Sequence, residues 1–277
     1  MTGGKLPLLL IVCAGLVQGA AQRDIEYGHA RDVTLLMDAT MPQGGGPFPA
    51  AILVHGGAWF AGDKHAAFEP IEQTLTGAGF ATFSINYRLA PKYLFPAAVH
   101  DVERAVAFVI KNAAVYKVDP DRVVLIGESA GAQLAEMAAL NRSTHAAAVV
   151  SFYAPSDLSS LVNSGTVPDA VRQITGDSPI TGIVLRSLRR FSPIEKVHKN
   201  MPPILFIHGT DDHIVPFESS GRMCDRMKEV GASCEVIPVE GGDHGLAARE
   251  FDPHMQTYKK SMIAWLKRTL GSEQKTN

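Results

Sequence analysis

Val123-Val124-Leu125-Ile126-Gly127-Glu128-Ser129-Ala130-Gly131-Ala132-Gln133-Leu134 is the stretch that decides the fold. Four consecutive apolar residues suit a strand buried on both faces, and the helix-forming run Ala132 to Leu140 follows at once. Between them lies Gly127-x-Ser129-x-Gly131, a pattern that is weak evidence alone. Set between strand and helix it becomes an elbow. The turn forces Ser129 into a strained conformation that exposes its Oγ, and the flanking glycines remove side chains that would clash. The helix N-terminus behind the serine also favours developing negative charge.

Working outward, the same short apolar runs recur at Ala50 to Val54, Phe80 to Ile85, Ala147 to Phe152, Ile204 to Ile207 and Cys234 to Val239. Val33 to Thr40 alternates apolar and polar residues and predicts an antiparallel edge strand. Ala97 to Ala114 puts Val102, Val106, Val109 and Ile110 on one helical face, and Glu218 to Val230 and Met255 to Leu270 also suit helices. This alternation predicts an α/β fold: one domain with a mostly parallel sheet and helices on both faces. The stretch from Pro155 to Pro203 breaks the rhythm with Gly165, Pro168, Gly176, Pro179 and Pro193, and predicts a small lid over the sheet. Arg186, Arg189 and Arg190 within it read either as a solvated helix face or as an anion site.

Composition narrows the classes. Of 277 residues, 46% are hydrophobic and 19% charged, which suits a large core and excludes intrinsic disorder. A net charge of -2 removes the electrostatic case for nucleic acid. No apolar run reaches the ~18 residues needed to span a bilayer, so no stable membrane anchor is expected. At the N-terminus, Lys5 precedes the apolar run Leu6 to Val17, then Gly19, Ala20 and Ala21. That is the pattern of a secretory signal peptide over 1–21, which would carry Cys13 away and leave a secreted or periplasmic domain over 22–277; an N-terminal core helix or a retained anchor is the alternative. Export would leave Cys224 and Cys234 in an oxidising compartment, either bonded to each other or as two buried thiols.

Chemistry-bearing residues gather at strand ends. His55-Gly56-Gly57-Ala58-Trp59 follows the Ala50 to Val54 strand, and its small residues let backbone N–H groups approach an oxyanion. Gly57, Ala58 and Ala130 are the expected donors. His55 is expected to fix the loop, Trp59 to wall a pocket or pack, and Glu128 to be a structural carboxylate. His208-Gly209-Thr210-Asp211-Asp212-His213 follows a third strand, and Gly241-Gly242-Asp243-His244-Gly245 a fourth. A serine hydroxyl needs an imidazole to take its proton, and the imidazole needs a carboxylate on its other nitrogen. Ser129, Asp212 and His244 supply these in an order distinct from chymotrypsin and subtilisin; Asp211 competes with Asp212 and reads as a turn cap. His208, Asp211, Asp212 and His213 could in principle hold a metal, but no His-Glu-x-x-His or paired-Cys motif supports one, and no cofactor is required.

The chain resembles the α/β-hydrolase superfamily, and within it the bacterial feruloyl-esterase-like group related to hormone-sensitive-lipase-type esterases. The resemblance rests on His55 to Trp59, Tyr87-Arg88-Leu89-Ala90-Pro91, Phe95-Pro96-Ala97-Ala98 and Gly127 to Gly131. Ser192-Pro193, Pro202-Pro203, His208 to Pro216 and Gly242 to Gly245 follow in the same order. It implies a serine carboxylesterase with the triad Ser129, Asp212 and His244, and bracing roles for Tyr87 and Arg88. The expected substrate is a small-molecule or polysaccharide-linked ester of acetyl, short-chain or feruloyl type. The chain departs from the group at Ala58, often Gly, and at Ala132-Gln133, where a Gly-His pair is frequent. An arylformamidase-like amide hydrolase and a non-catalytic receptor on the same fold are the competing expectations.

Overall fold

The computed structural model describes residues 21–66, 68–165, 169–175, 182–246 and 256–271. The expected signal segment up to residue 20, with Cys13, lies outside them, as do Pro168, Gly176 and Pro179. Eight strands form one sheet: β1 Ala21–Ala30, β2 Val33–Thr40, β3 Phe48–Val54, β4 Ala81–Ile85, β5 Val118–Glu128, β6 Ala148–Phe152, β7 Ile204–Gly209 and β8 Cys234–Val239. Their order is β1-β2-β4-β3-β5-β6-β7-β8. Pairing is antiparallel for β1 with β2 and for β2 with β4, and parallel from β4 to β8.

One expectation fails here. Val33–Thr40 is antiparallel but is not the edge, because β1 covers its outer side. The pairing of β1 shifts register twice, between Gln22 and Ile25 and between Glu26 and Gly28. Such bulges erase the two-residue alternation that would mark a strand, and most of β1 is exposed.

The parallel strands owe their continuous apolar runs to burial on both faces. Ala50, Ile52 and Val54 join Val102, Val106 and Leu134 in one core, while Ala51 and Leu53 face the opposite core with Leu75, Met262 and Trp265. The first core receives α2 Ala97–Lys111 and α4 Ala130–Ala139. The second receives α1 Glu69–Gly77 and α8 Thr257–Thr269. A four-residue helix, α3 Ala113–Tyr116, continues the α2 chain after Asn112.

Between β6 and β7 the described residues contain no strand. They form a 3-10 run Leu158–Gly165, α5 Asp169–Thr175, α6 Gly182–Arg190 and a 3-10 turn Pro193–Lys196. Leu158, Val171, Val184 and Leu188 anchor this excursion in the first core. Arg186, Arg189 and Arg190 are exposed on α6, and the Arg190 guanidinium lies 5.9 Å from the Phe191 ring centroid. Between β7 and β8 runs α7 Glu218–Glu229, whose Cys224 is joined by a disulfide to Cys234 at the start of β8. No helix among the described residues is long and apolar enough to cross a membrane.

Candidate active site

Four parallel strands end on one side of the sheet, and each delivers part of the site from its carboxyl end. Ser129 follows β5 with φ 51° and ψ -120°, and its N–H donates to Phe152 O at 2.9 Å. The flanking glycines are sterically required. A Cβ on Gly131 would lie 2.1 Å from Val54 O and 2.2 Å from His55 O; one on Gly127 would lie 2.4 Å from Gly131 O. Helix α4 can therefore start directly against β3, which leaves Ser129 at the bend.

His244 stands 2.9 Å from Ser129 Oγ through Nε2 and 2.7 Å from Asp212 Oδ2 through Nδ1. A carboxylate only accepts, so Nδ1 carries the hydrogen and Nε2 is left to receive one. Asp212 Oδ1 accepts the N–H groups of Ile214 at 2.9 Å and Val215 at 2.8 Å. Burial opposes ionisation of Asp212, but hydrogen bonds from His208, His244 and the Val215 backbone outweigh it and hold the carboxyl well below the usual range. Asp211 points elsewhere: it is exposed, and its own N–H donates to Gly242 O at 2.9 Å.

His208 is a contributor that the sequence did not single out for this role. Its Nε2 donates to Val215 O at 2.9 Å and lies 3.2 Å from Asp212 Oδ2, while its Nδ1 accepts from Ser220 Oγ at 2.8 Å. Asp212 thus sits between two imidazoles. The ring of Tyr153 also packs on His244, with centroids 4.7 Å apart, and its hydroxyl donates to Glu128 Oε2 at 2.9 Å. Glu128 Oε1 accepts the Gly56 N–H at 3.3 Å, so this carboxylate ties the β3 loop to the β5 elbow. Neither aromatic packing nor a second histidine on one carboxylate has a spacing signal in the chain.

The loop after β3 holds three successive residues at positive φ: Gly57 at 103°, Ala58 at 51° and Trp59 at 67°. Strain of this kind persists only where neighbours over-determine the backbone, and here they do. Burial pushes the His55 imidazole down to about 4, so it is neutral at pH 7 and donates from Nδ1 to Gly56 O at 2.7 Å. The Tyr87 ring stacks on His55 at 4.2 Å, and its hydroxyl donates to His55 O at 3.0 Å. Arg88 in turn makes paired bonds of 2.8 Å to buried Asp101 on α2. Farther along, buried Lys64 reaches Asp38 of β2 at 2.6 Å and Asp24 at 3.0 Å. Trp59 is 4% exposed, and its indole lies edge-on to Phe95. No backbone carbonyl among the described residues outside regular helices and strands accepts from the N–H groups of Gly57, Ala58 or Ala130. The disulfide at Cys224 and Cys234 lies outside this constellation, at the junction of α7 and β8.

A mostly parallel eight-stranded sheet with serine, aspartate and histidine arriving in that order after β5, β7 and β8 defines an α/β-hydrolase. The BD-FAE family model matches residues 37–227, and the chain belongs to that family. It is 31% identical over 77% of its length to esterase LipQ of Mycobacterium tuberculosis, covering 54% of that protein. It is 28% identical over 80% of its length to a probable isoprenylcysteine alpha-carbonyl methylesterase of Arabidopsis thaliana, covering 50% of it. The chain thus spans about half the length of the curated relatives it matches. Among solved structures, a truncated carbohydrate esterase from gut microbiota superposes with a TM-score of 0.80 at 28% identity, over 92% of this chain and 97% of that one. The thermophilic esterase Est2 of Thermogutta terrifontis gives 0.74 at 25% identity, over 88% and 91%.

Proposed function

We propose that the protein is a serine carboxylesterase that works through an acyl-enzyme. The observation that carries this reading is the unbroken relay from Ser129 Oγ to His244 at 2.9 Å and from His244 to Asp212 at 2.7 Å. His244 Nε2 takes the hydroxyl proton as Ser129 Oγ bonds to the ester carbonyl carbon, and the carbonyl oxygen becomes an oxyanion. The N–H groups of Gly57, Ala58 and Ala130 stabilise that charge, with the α4 N-terminus behind them. Collapse of the intermediate breaks the bond to the alcohol, which leaves with the proton from His244. A water then gives its proton to His244 and attacks the acyl carbon; loss of the carboxylic acid restores Ser129. Asp212 holds the imidazole in the required tautomer and steadies its cation.

The relatives' names support esters as the substrate class, and the carbohydrate-esterase likeness favours acetyl or short-chain acyl groups on a saccharide. Feruloyl esters belong to the same proposal, with the excursion over 155–203 acting as a lid. The N-terminal signal pattern supports export to the periplasm or beyond. Replacing Ser129 with alanine tests the central step. Ser129→Ala is expected to abolish both hydrolysis of p-nitrophenyl acetate and covalent labelling by a fluorophosphonate; undiminished turnover would overturn the reading. A nitrophenyl chain-length series, with methyl ferulate and acetylated xylan alongside, identifies the acyl group.

A further inference from the structure

Gln133 is wholly buried on the first turn of α4, where its backbone N–H donates to Ser129 O at 3.1 Å. Its side chain reaches two other parts of the molecule. Oε1 accepts the Trp59 indole N–H at 3.0 Å, and Nε2 donates to Phe191 O at 2.7 Å. The partners fix the amide orientation, since an indole nitrogen only donates and a carbonyl only accepts. A carboxylate could not serve both, and an apolar residue would leave both partners unpaired in the interior. Around this bond the aromatic rings close up: Phe95 stacks on Phe191 with centroids 4.7 Å apart and meets Trp59 edge-on at 6.2 Å.

Trp59 is the last of the three residues held at positive φ, directly after Ala58. The Trp59 carbonyl accepts Ala90 N–H at 3.0 Å, and its ring packs on Phe95 within the first core. The Gln133 bond therefore joins the loop carrying Gly57 and Ala58 to the helix that begins at the serine, across 74 positions of sequence. Oxyanion stabilisation is steep in geometry, because donors must lie about 2.7–3.1 Å from where the charge develops. We propose that Gln133 is a positioning residue: through the Trp59 indole it sets the oxyanion loop against Ser129, and through Phe191 it ties the end of α6 to the same point. This rests on the esterase reading above.

The test pairs Gln133→Met, which keeps size and loses both polar atoms, with Trp59→Phe, which keeps an aromatic ring and loses the N–H. Each is expected to lower kcat for p-nitrophenyl acetate by roughly 10–100-fold, with KM changing less than about 3-fold, as for an interaction felt in the transition state. The double variant is expected to lose no more than the worse single one, because both remove the same bond. A Trp59→Phe protein with kcat within about 2-fold of wild type would overturn the proposal, as would losses that multiply in the double variant. Trp59→Phe decides the matter if Gln133→Met fails to fold. A wild-type protein that takes no fluorophosphonate on Ser129 would sink the esterase reading itself, whereas a labelled wild type with an indifferent Trp59→Phe sinks only the role of Gln133.

Discussion

A histidine can relay a proton from serine only while a carboxylate holds its other nitrogen, and Asp212 is surrounded so that it stays ionised. Two imidazoles and two backbone N–H groups approach it, enough to outweigh its burial. Asp212→Asn preserves the shape but invites the wrong tautomer of His244. We expect kcat on a nitrophenyl ester to fall on the order of 10⁴-fold, while Asp211→Asn stays within about 2-fold, as for an ordinary surface substitution. Equal losses in the two variants would reassign the carboxylate. The sequence singles out Ser129, Asp212 and His244, which the fold joins by hydrogen bonds, because each follows an apolar strand in a loop of small residues. His208, Gln133 and Tyr153 were not legible in these roles. Their partners are 12 to 74 positions away for most of the bonds concerned, and each contact exists only once the sheet has brought two loops together.

At the scale of elements, what could be read was what burial dictates. Strands β3, β4, β6 and β7 and the second half of β5 are buried almost throughout, and their apolar runs mark them. Strand β8 is only partly covered and is marked by Val236, Ile237 and Val239. Strand β1 is mostly exposed and twice bulged, so nothing in its composition announces it. Helix α1 leaves as little trace in the sequence: its apolar face is short, with Ile71 and Leu75 carrying the contact to the second core. Helix α7 shows how an element away from the chemistry still supports it. Its Ser220 donates to His208 and its Ser219 to Ala154 O, while the Cys224–Cys234 disulfide pins its middle to β8. Closing so short a loop stabilises by roughly 3 kcal/mol in the chain-entropy account. The double variant Cys224→Ser, Cys234→Ser is accordingly expected to lose about that much in urea unfolding, and dithiothreitol to lower the wild-type melting temperature but not the variant's. A melting temperature indifferent to reductant would show that the bond adds no stability.

For the molecule as a whole, one buried group is set to make stability depend on pH. Glu136 lies inside on α4 with no exposed surface; Ser151 of β6 donates to its Oε1 at 2.5 Å, and its Oε2 has no hydrogen-bond partner among the described residues. Burial raises its carboxyl to about 7 against the opposing hydrogen bond from Ser151. The folded protein therefore binds a proton that the unfolded chain releases between about 4.5 and 7. The stabilising contribution is fully present below that window and is lost as pH rises through it, a change of about 3 kcal/mol. Glu136→Gln should remove this slope, so that unfolding free energies of the two proteins diverge from pH 4.5 to 7; parallel curves would refute it. The sheet's far margin carries another whole-molecule consequence. Among the described residues β8 pairs with β7 alone, and it bears the loop that presents His244. A margin strand of this kind is where a strand from a second molecule could pair, and such an intruder would pull on the histidine's own support. Pro238 withholds an N–H from that margin, and Glu235 places a charge there, engaged with Arg268 at 3.1 Å. The six residues that close this margin are thus also the ones that carry the loop of His244.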